Sequence, residues 1–450
     1  RGSDGRLWVT VQGEDKLVAL DTADGSISAT IALAYGSGPY GVAFTPNGSK
    51  GLLSLESKST LLTFDPANGS ITGTLALEGD LRGIAVAADS QTAYITRFKS
   101  TMTGGQLHKV NLNGMQLLST IALPVDTTTV DTENSARGVA NYLSQVVISP
   151  DGSRAVLPGK KDNIVRGRFR DGKDLLHDQT VRSILSQVDL TQATHLLPEQ
   201  IDFDDRAPAR AALFSPAGDY LFVAQMEGNN IAIVDAYTRA VRGEIKASSA
   251  PHGLYLDATR KRLFVNNFLA RSVTVHDVAD VLASRSAAAV FLQNIATVAQ
   301  EPMAAAALRG KLVFYNAADR RMSKDNYMSC ASCHADMKVE DDPTRPTHAA
   351  LIADRRNDGH DPIMHGQGRN RPPRHCGRRQ VRRSPLDCRL GGRRSKLRPP
   401  KSRVGLGHVL RHSEGARRRC FTLEVRPPGI AAATHYHRRV RKPTRQPCRK

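Results

Sequence analysis

Apolar and polar residues alternate in short runs over most of the first three hundred positions. Residues 52–77 show the pattern: Leu-Leu-Ser-Leu, then Thr-Leu-Leu-Thr-Phe-Asp, a Pro-Ala-Asn-Gly turn, then Ser-Ile-Thr-Gly-Thr-Leu-Ala-Leu. Period-two alternation interrupted by turn residues predicts half-buried antiparallel strands. The runs also recur. Pro-Tyr-Gly-Val-Ala-Phe-Thr-Pro-Asn-Gly at 39–48 matches Leu-Arg-Gly-Ile-Ala-Val-Ala-Ala-Asp-Ser at 81–90, an offset of 42. Segments 146–152, 213–218 and 251–258 repeat the same strand and turn. A second mark is an apolar strand that ends in Asp or Asn, at Asp21, Asp65, Asn111, Asp189, Asp235 and Asp277. The longest interval, from Asn111 to Asp189, implies that one unit carries an insertion.

Several short strands in a unit of about 42 residues match a β-propeller blade, and radial repetition leaves few sheet edges open. The expected fold is therefore all-β, with six or seven blades over residues 1–317. Residues 6–33 supply three strands of a blade. The apolar runs Met303–Leu308 and Lys311–Tyr315 are expected to complete it from the other end of the repeat region.

Residues 330–334 read Cys-Ala-Ser-Cys-His, the attachment signature of a c-type haem. On a helical turn Cys330 and Cys333 lie on one face, and His334 falls four after Cys330. Two thioethers and one iron-ligating imidazole can then meet one porphyrin. A redox dithiol or half a zinc site are the alternatives. Cys376, Cys388, Cys420 and Cys448 offer no second close pair for zinc, and the flanks show no βαβ setting for a dithiol. The expected cofactor is haem c, bound by Cys330 and Cys333, with His334 as the proximal iron ligand. Met337, His348, Met364 and His365 follow the motif, and Met364 is the expected distal ligand if the iron has one.

The repeat pattern resembles the YVTN-type β-propeller family over roughly residues 5–316. Tyr315-Asn-Ala-Ala-Asp-Arg-Arg-Met-Ser followed by Tyr327-Met-Ser-Cys-Ala-Ser-Cys-His is similar to the propeller–cytochrome fusions of that family. Their haem part resembles the MauG-like di-haem peroxidases. The resemblance implies an exported, periplasmic or secreted redox protein. Its partner would be a redox protein or a small-molecule electron donor or acceptor. Only one attachment motif is present, a departure that puts peroxidase activity in doubt, and the expected work is electron transfer or peroxidase-like redox chemistry. A non-catalytic propeller scaffold with an incomplete haem domain is the other reading.

Counting back from each turn gives Tyr40, Arg82, Ser144, Arg210 and His252 at equivalent positions. If the blades superpose, these residues ring the mouth of the central channel. Two guanidiniums and an imidazole would suit carboxylates, haem propionates included. A solvated channel lining is the plainer alternative. The insertion at 124–145 carries Asp126, Asp131 and Glu133 with no EF-hand spacing, and reads as a solvated loop. Asn47-Gly and Asn68-Gly read as hairpin turns rather than glycosylation sites. His108, His177, His195 and His276 stand singly and read as structural.

The formal charge of +20 is uneven. Residues 1–354 carry 35 Lys+Arg against 38 Asp+Glu, so the folded body has no electrostatic case for nucleic acid. Residues 355–450 carry 28 Lys+Arg against 5 Asp+Glu, with only 14 Leu, Ile, Val and Phe. That composition predicts disorder, or out-of-frame translation of a GC-rich gene, which the coding DNA decides. A basic arm for nucleic acid or anionic lipid is the rival. A short helical haem segment is expected at 318–354, between propeller and tail. No apolar run reaches the ~18 residues of a membrane span.

Overall fold

A computed structural model describes residues 2, 4–168 and 170–337. It contains six antiparallel sheets arranged as propeller blades, which settles the expected six or seven at six. Blade 2 is typical. Pro39–Phe44 lies innermost and pairs with Gly51–Leu55, which pairs with Thr60–Phe64, which pairs with Ile71–Ala76 at the rim. Blades 3, 5 and 6 repeat that order, opening on Leu81–Val86, Ala209–Phe214 and Pro251–Asp257. Blade 4 takes the insertions. Its innermost place is shared by Val139–Asn141 and Val147–Ile148, and its outermost by Thr194–His195 and Ile201–Phe203.

The six Asp and Asn marks coincide with the six blades, and each does the same work. Asp21, Asp65, Asn111, Asp189, Asp235 and Asp277 close the third strand. Each side-chain oxygen accepts the backbone N–H two residues on, at 2.8–3.1 Å. This local hydrogen bond is why a short polar residue recurs there. The Asn47-Gly and Asn68-Gly pairs are turns as expected, with Gly48 and Gly69 at φ of 73° and 77°.

Blade 1 departs from the expectation. It has three strands, Leu7–Val11, Lys16–Leu20 and Ile27–Ala32, and no described residue fills its innermost place. The run expected to complete it is the α-helix Ala305–Phe314. Four successive alanines at 304–307, preceded by Pro302, explain the change. Alanine has the highest helix propensity, and no period-two polar alternation opposes it.

The core lies between blades, where alternate strand residues of one sheet meet those of the next. Trp8, Phe44 and Phe64 fill the interface of blades 1 and 2, with ring centroids of Trp8 and Phe64 4.9 Å apart. Leu52, Leu81, Ile95 and Val110 join blades 2 and 3. Further clusters join 3 with 4, 4 with 5, and 5 with 6. Near the axis the inner strands approach so closely that two positions exclude any side chain. A Cβ on Gly41 would come 2.1 Å from the Arg82 carbonyl oxygen, and one on Gly83 would come 2.6 Å from Gln145 Cα.

Phe64 is fully buried between two other rings. Phe64→Ala is expected to cost about 3–5 kcal/mol of unfolding free energy. Trp8, the one tryptophan of the chain and a direct neighbour, reports it in urea titrations followed by fluorescence. A loss below about 1 kcal/mol contradicts this interblade core.

Candidate functional site

The inner strands of blades 2, 3, 5 and 6 begin Pro39-Tyr40, Leu81-Arg82, Ala209-Arg210 and Pro251-His252. The repeat thus delivers the same second position of each strand to one end of the channel. A register shift at the start of each of these strands turns the residue out of the regular ladder. Hydroxyls from a neighbouring blade hold the displaced backbone. Thr10 donates to the Tyr40 carbonyl at 3.0 Å, Ser54 to that of Arg82 at 2.9 Å, and Ser144 to that of Arg210 at 2.6 Å. Ser144, expected in the ring itself, therefore serves it from behind.

Four of the five expected ring residues meet. The Arg82 guanidinium lies 4.3 Å from the Tyr40 ring centroid, and Arg210 donates to the Tyr40 hydroxyl. Arg82 is 1% exposed and is the most enclosed of them. It donates twice to one oxygen of Glu56, at 3.0 and 2.7 Å, and stacks 3.4 Å from the Phe98 centroid. Burial alone would weaken its proton, but Tyr40, Asp336 and Glu56 outweigh burial and hold it above its ordinary value.

The carboxylate that the ring meets comes from the chain itself. Arg82 donates to Asp336, and Arg210 stands 3.9 Å from the other Asp336 oxygen. Residues 315–336 run onto the mouth and bring the cysteine motif with them. Tyr315 and Ala331 pack with Met226, Ala250 and Leu269. Tyr142 donates to the Cys333 carbonyl at 3.1 Å. Glu227 is buried beneath the motif and accepts the Ser329 N–H at 3.3 Å, the Ser329 hydroxyl at 2.8 Å and the Ser332 hydroxyl. Burial pushes the Glu227 carboxyl upward, against the pull of these hydrogen bonds.

Within the motif Cys330–Ser332 forms a 3-10 turn closed by a Ser329–Ser332 capping box. Its inner residues, Ala331 and Ser332, face the propeller. Cys330 is half-buried, while Cys333 is 8% exposed and packs with Val181, Tyr327 and Met328. Burial pushes the Cys333 thiol up to about 12. The His334 Nδ1 is buried with no hydrogen-bond partner among the described residues. Two thiols and an adjacent imidazole suit a covalent haem. The packing of Cys333 means that the turn must lift before a porphyrin could reach that thiol. No cluster of His, Cys, Asp and Glu fit for a bare metal ion occurs among the described residues.

Other expectations resolve differently. The acidic insertion is solvated only in part: Glu133 is exposed, while Asp126 and Asp131 are buried. Asp126 is buried, receives Lys161 Nζ at 3.1 Å, and keeps its carboxyl low despite burial through Thr129 and Lys161. Asp131 is buried against Arg137 and Arg166. A plain loop cannot bury these carboxylates, but the cations supplied by blade 4 can. His108 is structural as expected, bonded to Thr120 at 3.0 Å and to the Glu78 carbonyl at 2.9 Å. Met364, His348 and His365, the end of the haem segment and the basic tail lie outside the described residues, as does the Met337 side chain.

Glu56, Phe98, Glu227 and Asp336 were not expected from the sequence. Glu56, Phe98 and Phe268 each fall 16 residues after Tyr40, Arg82 and His252, so the repeat frame does contain a signal for them. Nothing comparable marks Asp336. A larger groove of about 470 Å³ lies at the opposite ends of the inner strands, near Ser149, Arg154 and Tyr237. Glu199 already pairs there with Arg154 and, at 3.5 Å, with Arg239.

No protein-family model matches the sequence, and no curated protein matches it. Among solved structures the chain is similar to hydrazine synthase of Kuenenia stuttgartiensis, at 16% identity and a TM-score of 0.48, over 65% of this chain and 84% of that one. The periplasmic gluconolactonase PpgL of Pseudomonas aeruginosa gives 16% and 0.48, over 66% and 84%. A functionally unknown protein of Desulfotomaculum acetoxidans gives 14% and 0.46, over 66% and 81%. The blades themselves establish the propeller, and these likenesses say nothing of activity.

Enclosure, with Arg210 and Arg82 nearby, pushes the His252 imidazole down to about 3, against the opposing pull of Asp336. The unfolded chain would protonate it near about 6.5. Between those values the unfolded state binds the extra proton, so stability falls as the pH falls. Urea midpoints at about pH 6 and pH 4 should drop further for the native chain than for His252→Gln. Equal drops contradict this placement of the imidazole.

Proposed function

We propose that this chain is an exported propeller–cytochrome protein that carries one covalent c-type haem and works in electron transfer. Cys330 and Cys333 would hold the porphyrin, and His334 would ligate the iron. The observation that carries the reading is the Cys-Ala-Ser-Cys-His turn seated on the channel mouth. Bound haem would supply one-electron chemistry, tuned by the groups around it. The chain's own residues have two tasks. Glu227, through Ser329 and Ser332, fixes the turn. Arg82 and Arg210, through Asp336, anchor its far end.

The proposal extends to a YVTN-type propeller joined to a MauG-like haem segment, and to a periplasmic or secreted location. Support comes from the six blades and from the motif that follows them. A redox protein or a small electron donor or acceptor would then be the partner. Among the described residues no helix is long and apolar enough to cross a membrane. One observation favours the scaffold reading. Cys333 is packed against the propeller with its thiol held protonated, a state that resists attachment.

A pyridine haemochrome assay separates the two readings, using protein made in a host with the attachment machinery. The haem reading expects covalent haem in the native chain, an altered haemochrome band in Cys330→Ser or Cys333→Ser, and none in the double variant. A native chain without covalent haem overturns it and leaves the scaffold.

A further inference from the structure

Beside Asp336 the mouth opens into a cavity of about 360 Å³, walled by Tyr40, Arg210, His252, Phe268 and Tyr315. That volume falls at the lower end of small-molecule sites, which run about 300–1,000 Å³. The wall has two characters. Phe268 and Tyr315, their centroids 6.1 Å apart, form an aromatic side. Arg210, His252 and the Tyr40 hydroxyl form a polar side whose hydrogen-bonding capacity is little used. Arg210 gives one hydrogen bond, to Tyr40, and stands at 3.9 Å from Asp336, beyond hydrogen-bond reach. The His252 imidazole contacts the Phe268 ring and makes no hydrogen bond among the described residues.

The charges decide what can enter. Among the described residues Arg82 and Arg210 are positive, Glu56 and Asp336 negative, and the four balance. Glu56 is 5% exposed and bound to Arg82 and Gln12, so it is fixed. Asp336 has a side chain 36% exposed, sits at the end of the docked turn, and is the replaceable anion. A second carboxylate added to the cluster would be uncompensated. A carboxylate exchanged for Asp336 keeps the balance and can use the idle donors of Arg210.

We propose that the channel mouth is a binding site for a small organic acid. Its carboxylate takes the place of Asp336 on Arg82 and Arg210, and its apolar or aromatic body lies against Phe268 and Tyr315. Because Asp336 anchors the cysteine turn, the acid and the docked turn compete, and binding one loosens the other. The site does not depend on haem, so its test runs on the full chain purified without haem, and its outcome is separate from the haemochrome result.

Benzoate is the probe, with benzamide as its uncharged counterpart, titrated by calorimetry. Asp336→Asn removes the competing anion and is expected to bind benzoate about tenfold more tightly than the native chain. Arg210→Gln is expected to weaken binding by about tenfold or more, and benzamide to bind neither. In the native chain, benzoate should also speed alkylation of Cys333, located by fragment-ion mass spectra of the peptide it shares with Cys330; this needs no substitution to fold. Benzoate that binds native and Asp336→Asn protein equally, benzamide that binds as well as benzoate, or saturation of neither protein together with unchanged Cys333 alkylation overturns the proposal.

Discussion

A guanidinium buried at the mouth of a channel has to be paired, and the arrangement around Arg82 follows from that. Stripping a charge of water costs several kcal/mol even after relaxation. Arg82 is 1% exposed, and it recovers the cost from four groups. Glu56 gives a fixed carboxylate, Tyr40 and Phe98 give ring faces, and Asp336 gives a second carboxylate from a distant segment. Glu56 and Tyr40 come from blade 2 and Phe98 from blade 3, so all three are supplied by the fold. The fourth is supplied only while residues 315–336 stay on the mouth. The ion cluster therefore ties the cysteine motif to the propeller.

That docking sets the motif's chemistry. Ala331 and Ser332, the two residues between the cysteines, are used to seat the turn, one in an apolar pocket and one on Glu227. The same packing encloses Cys333 and disfavours its thiolate. A seated turn is thus structurally secure and chemically quiet, whereas a lifted turn exposes both thiols and the imidazole. The anchors at the propeller mouth hold the seated state, and each would contribute to the same local opening equilibrium.

What could be read from the sequence was whatever the repeat places in register. The six Asp and Asn marks fixed one turn per blade because each acts locally, two residues from its partner. Tyr40, Arg82, Arg210 and His252 were legible as a ring because superposed blades must bring equivalent positions to the axis. The helix Ala305–Phe314 was misread as strand because a short apolar run looks alike in either state, and its alanines decide the matter. Asp126 and Asp131 were misread as solvated because their cations, Lys161 and Arg166, come from another part of blade 4. Asp336 was invisible for the same reason: it meets Arg82 across 254 residues, and no repeat relates the two.

The central claim, that Arg82 and Arg210 hold the cysteine turn through Asp336, is tested most directly by the alkylation rate of Cys333 in the folded chain. Iodoacetamide labelling located by fragment-ion mass spectra separates Cys333 from Cys330, which share one peptide, and from the four later cysteines. Asp336→Asn keeps the shape of the side chain and removes its charge. Labelling of Cys333 about tenfold faster or more in that variant, at urea concentrations where the propeller stays folded, is the expected result. Equal rates in the two proteins would show that the turn is held by something other than this ion cluster.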